Sequence, residues 1–110
     1  MITEFKEVQT KDGEKLHLSI VENGSPKWII VTHGLGEHGG RHSYFFKLFS
    51  QYFNICTWDL RGHGRSSGKR GFVEKFSDFT SDLDEVIGYL SKNYQMKEHI
   101  LLVYTMKRFK

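Results

Sequence analysis

The sequence predicts an α/β fold: a mostly parallel sheet led by an antiparallel hairpin, in the order β-β-β-α-β-α-β. Three observations predict it. Trp28-Ile29-Ile30-Val31-Thr32 is an apolar run without alternation, the pattern of a strand buried on both faces of a parallel sheet. Two more apolar runs, Phe53–Trp58 and Ile100–Tyr104, are spaced from it and from each other by segments of helical periodicity. Turn signals cut two short strands out of the chain ahead of the first run.

Taken in order, Phe5 to Thr10 reads as a strand and Lys11-Asp12-Gly13 as its turn, since Asp-Gly supplies the positive φ a tight reversal needs. Leu16, Leu18 and Ile20 alternate with His17, Ser19 and Val21, which predicts a half-buried strand. Asn23-Gly24-Ser25-Pro26 turns the chain into the Trp28 strand. Four glycines, Gly34, Gly36, Gly39 and Gly40, follow it. Tyr44, Phe45, Leu48, Phe49 and Tyr52 then keep helical spacing, with Ser43 as N-cap. Asp59 to Gly71 is a polar loop. Phe79, Leu83, Val86, Ile87, Leu90 and Tyr94 form the clearest amphipathic helix, with Ser77 or Asp78 near its start and acidic residues in its N-terminal half.

Composition narrows the function classes. At 110 residues the chain suffices for one domain with a modest core, and residues 1–110 are read as one unit. The apolar fraction of 38% and aromatic fraction of 15% exclude a disordered chain. The net charge of +3 is scattered rather than gathered on one face, so no nucleic-acid partner is expected. Arg61, Arg65, Lys69 and Arg70 read most simply as a solvated surface, without interleaved aromatics for base stacking. Cys56, the single cysteine, reads as a small buried hydrophobe. The N-terminus lacks the apolar stretch of a signal peptide and no run reaches transmembrane length, which makes a cytoplasmic location the default.

Several motifs compete for the chemistry. Gly34-x-Gly36-x-x-Gly39 matches a dinucleotide fingerprint after a strand, with Asp59 twenty residues beyond Gly39. Against it, Glu37 would face the pyrophosphate, helical spacing starts only at Tyr44, and a hairpin precedes the strand. Gly64-Arg65-Ser66-Ser67-Gly68 matches the G-x-S-x-G nucleophile elbow. Yet Leu60 to His63 separate it from the preceding strand and no helix leaves it at once, so Ser66 reads as an ordinary loop serine. His38 and His42 have the spacing of a helical metal pair, but Gly39-Gly40 breaks any helix there and no third ligand joins them; no metal and no cofactor are expected. His33-Gly34-Leu35-Gly36 can also form an oxyanion loop, because one donor of such a hole comes from the loop after the third strand.

H-G-L-G-E-H-G-G-R-H (His33–His42) and D-L-R-G-H-G-R-S-S-G-K-R-G (Asp59–Gly71) together resemble the α/β-hydrolase branch of monoacylglycerol lipases, lysophospholipases and serine aminopeptidase-like hydrolases. The similarity runs from about Phe5 to Leu102. It implies carboxylic ester hydrolysis through an acyl-enzyme in the intact family, with a lipid-like ester as substrate. It implies that Leu35 N–H is an oxyanion-hole donor, that His33, Gly34 and Gly36 shape that loop, and that Asp59, His63 and Gly64 brace the loop after the fourth strand.

The chain departs from the family pattern where the nucleophile belongs. The family runs into G-H-S-M-G-G; this chain reads Val103-Tyr104-Thr105-Met106-Lys107-Arg108. Aligned without a gap, Thr105 stands at the serine position, while Val103 and Lys107 replace elbow glycines that the strained turn requires. None of His17, His33, His38, His42, His63 and His99 matches the catalytic histidine, and the family's acid lies further along. No catalytic residue is therefore assigned. The expectation is the N-terminal part of such a hydrolase, truncated at the nucleophile elbow and inactive alone, with Ile100–Tyr104 left as a bare apolar edge that a C-terminal fragment would complete.

Overall fold

A computed structural model describes residues 3–33, 48–70 and 75–104. Five strands form one sheet: β1 (Thr3–Gln9), β2 (Lys15–Val21), β3 (Lys27–His33), β4 (Asn54–Asp59) and β5 (Glu98–Tyr104). Helix α1 (Phe76–Asn93) links β4 to β5. The spatial order is β1-β2-β4-β3-β5. β1 with β2 and β2 with β4 are antiparallel; β4 with β3 and β3 with β5 are parallel. The leading hairpin and the parallel β3, β4 and β5 read from the sequence are present, but the sheet as a whole is mixed, because β2 pairs antiparallel on both of its sides.

The lack of alternation in β3 has the expected cause. Trp28 and Ile30 enter one core with Leu16, Leu18, Ile20, Cys56 and Trp58, under Val86 and Leu90 of α1. Ile29 and Val31 enter a second core on the other face, with Ile55 and the partly buried Phe49 and Phe53. Each residue of β4 is buried as well. Strands between two neighbours and two covered faces have no face left for polar side chains. Cys56 is free and fully buried, and burial pushes its thiol pKa far up.

In β2 the inward set is Leu16, Leu18 and Ile20, as its alternation predicts; Val21 is buried too, where the strand meets Ile55 of β4. The β1–β2 turn is closed by Thr10 N–H donating to the Glu14 carbonyl at 2.8 Å, with Gly13 at φ +96°. The turn into β3 is knotted by Asn54, whose Oδ1 accepts from Asn23 N–H at 2.6 Å and whose amide donates to the Ser25 carbonyl. The Trp28 indole N–H donates to the Gln95 carbonyl at 3.1 Å, tying β3 to the chain entering β5.

Two boundaries differ from the sequence reading. The helical spacing extended to Tyr52 ends in a turn: residues 48–49 are helical, Tyr52 and Phe53 N–H groups both donate to the Phe49 carbonyl, and Tyr52 is exposed. The next strand starts at once, so the chain must leave the helix there. Ser43, Tyr44 and Phe45 lie outside the described residues. At the other helix, Lys75 occupies the N-cap in extended conformation with no side-chain cap, and Ser77 and Asp78 fall inside the first turn. Among the described residues no helix is long and apolar enough to cross a membrane.

Candidate active site at the parallel strand ends

In an open α/β sheet, ligands collect beyond the carboxyl ends of the parallel strands. Here three such ends lie abreast: His33 of β3 pairs in register with Asp59 of β4 on one side and with Tyr104 of β5 on the other. The segments that leave these ends are Gly34-Leu35-Gly36, the loop opening with Leu60, and Thr105. Gly34, Leu35, Gly36 and Thr105 lie outside the described residues, as do Gly39, His38, His42 and Lys107. The expected oxyanion loop and the nucleophile-equivalent position thus leave adjacent strand ends.

The loop after β4 is described up to residue 70, and it is built like a small core. Asp59, Leu60, His63 and Ser66 are buried. The Asp59 carboxylate accepts from Arg65 N–H at 3.1 Å. Gly64 sits at φ +51°, and a Cβ there would stand 2.5 Å from Asp59 Oδ2. Only glycine lets the backbone pass so close to that carboxylate. His63 Nδ1 lies 2.9 Å from the Arg61 carbonyl, and His63 N–H donates to the Leu60 carbonyl at 2.9 Å.

Ser66 is more than an ordinary loop serine, although it is no nucleophile. Its hydroxyl donates to the Asp59 carbonyl at 2.6 Å and accepts from His17 N–H at 2.8 Å. Both partners are main chain, and neither can act as a base toward it. Ser67 repeats the arrangement: it accepts from Lys15 N–H and donates to the Glu14 carboxylate, each at 2.7 Å. The Ser67 N–H also donates to the Lys15 carbonyl at 2.8 Å. The two serines stitch the loop to the start of β2.

The reading of the basic loop as a solvated surface holds for the exposed Arg65, Lys69 and Arg70 and needs correction at Arg61. Its guanidinium donates to both oxygens of Asp82 on α1, at 2.7 and 2.8 Å, and to both of Asp12 in the β1–β2 turn, at 2.9 and 3.2 Å. The planar fork suits paired carboxylates and joins three elements. Its hydrogen bonds to Asp82 and then Asp12 raise the Arg61 pKa beyond its already high ordinary value. Hydrogen bonds from Arg61, then Thr10, hold the Asp12 carboxyl down at about 2. Arg70, although exposed, donates to the Gly64 carbonyl at 3.1 Å and to the Ser66 carbonyl. Arg65 is exposed and lies over the Phe5 ring, which stacks on His17. Burial lowers the His17 pKa, opposed by the charge of Asp59.

In the sequence Asp12 reads as a turn residue and Asp82 as one of the acidic residues favoured by the helix dipole, and neither reads as an ion-pair partner. For Asp82 a signal exists: it falls at the i, i+4, i+8 spacing of Val86 and Leu90, the buried stripe of α1. A carboxylate on an apolar stripe points to a buried cation partner.

Comparison with known proteins bears on the family and the fold. A family model described as serine aminopeptidase, S33, matches residues 24–106. The monoglyceride lipase of Rattus norvegicus is 34% identical over 86 residues, covering 76% of this chain and 28% of that protein. The monoacylglycerol lipase of Mycolicibacterium smegmatis is 30% identical over 79 residues, covering 71% of this chain and 28% of its own length. Among solved structures, the Pyrococcus furiosus esterase Pf2001 superposes with a TM-score of 0.77 at 28% identity, over 94% of this chain and 42% of that one. The sequence thus spans under a third of the length of these two lipases. The region matched by the hydrolase family includes Gly34, Gly36 and Gly39, and nothing found supports their reading as a dinucleotide cradle. With a hairpin-led mixed sheet, a braced loop after β4 and a family match over residues 24–106, the chain belongs to the serine aminopeptidase S33 family of α/β-hydrolases.

Proposed function

We propose that residues 1–110 are the N-terminal part of a hydrolase domain that, when whole, cleaves lipid-like carboxylic esters such as monoglycerides, and that this part alone does not turn over substrate. The observation that carries the reading is the alignment of His33, Asp59 and Tyr104 at one end of the sheet. From there Leu35 N–H serves as an oxyanion donor, in a loop shaped by His33, Gly34 and Gly36. Such a donor stabilises the tetrahedral intermediate of acyl transfer. The intermediate needs an activated nucleophile, and Thr105 follows Tyr104 without the flanking glycines of an elbow. The names of the relatives support the substrate class, and the 28% coverage of the two lipases supports the view of a partial domain.

The same reading gives the edge of β5 a role. Among the described residues β5 pairs only with β3, and Ile100 and Leu101 stand exposed there. A polypeptide supplying the rest of the fold would continue the sheet along this edge. A cytoplasmic location is part of the reading, and the unpaired Cys56 agrees with a reducing compartment.

The test is hydrolysis of a short-chain nitrophenyl ester and of a monoglyceride by the purified chain. The expected result is no turnover above buffer. Turnover that disappears in Thr105→Ala would overturn the inactive reading. Saturable binding of a nicotinamide or flavin dinucleotide, lost in Gly36→Val, would overturn the assignment of the glycine loop.

A further inference from the structure

We draw no further inference here: the strongest candidate, the outer edge of β5 with Ile100 and Leu101 exposed, belongs to the sheet completion already proposed, and nothing in the structure shows what else covers it.

Discussion

Gly64 is the position where one atom decides whether the site loop can exist. Its positive φ is a conformation that side chains with a Cβ rarely adopt, and the Asp59 carboxylate occupies the space a Cβ would need. We expect Gly64→Ala to lower stability by roughly 2 kcal/mol, from backbone strain and displacement of Asp59. A shift of the urea midpoint without a change in slope would be the measured sign. Asp12 gives a prediction in pH. Its folded pKa of about 2 lies below the ordinary carboxyl value of 3.8, so the unfolded chain binds its proton first. Its contribution is complete above about pH 4 and is lost as pH falls through about 2. Thermal melts of the native chain and of Asp12→Asn should therefore differ at neutral pH and converge toward pH 2. Because Asp12 is largely exposed, solvent screens the ion pair and the difference at neutral pH will be small.

Between elements, the decisive link is the Arg61 guanidinium. Asp82 is only 1% exposed, so Arg61 rather than solvent is what its carboxylate meets. Arg61→Met removes the cation and leaves the carboxylate buried, which we expect to cost about 3 kcal/mol. Adding Asp82→Leu should recover a large part of that loss, because no uncompensated charge then remains; equilibrium unfolding of the single and double variants measures both. The same link explains why Arg61 departs from the solvated surface that the loop sequence suggests. Polar residues suggest such a surface, but polarity in a sequence does not say where its partners are. Ser66 and Ser67 find theirs some fifty residues back in β2, and Arg61 finds one twenty-one residues ahead. The strands were legible for the opposite reason. Burial on both faces of β3 and β4 forces an unbroken apolar run, and that pattern is local. Tyr52 misled because its apolar ring sits at helical spacing after Phe49 while the chain is already turning into β4.

For the whole molecule, the class and succession of elements were readable, but not the strand order. Placing β4 between β2 and β3 depends on a crossover that no local pattern encodes. Of the candidate site, the proposed oxyanion loop rests on the resemblance to a family, whereas the bracing at Arg61, Ser66 and Ser67 comes from contacts that only the fold brings together. The two sheet edges differ in chemistry. β1 carries Glu4, Lys6 and Glu7 beside exposed Phe5, while the β5 edge exposes Ile100 at 55% and Leu101 at 47%. Open apolar edges invite pairing with other chains. We expect the isolated chain to self-associate at micromolar concentration and Ile100→Lys with Leu101→Glu to reduce this, as read by light scattering. A monodisperse native monomer with one cooperative melt would refute the expectation.

The stitching of Ser66 and Ser67 to Lys15 and His17 bears on how this chain can be cut. The family match starts at residue 24, after the hairpin strands have ended. A fragment trimmed to that boundary would keep both stretches that carry the family resemblance, His33–His42 and Asp59–Gly71, and lose the main-chain groups that moor the second. It would also strip β4 of its neighbour on the β2 side. The hairpin is therefore no detachable leader to the domain but the template against which its second motif is cast.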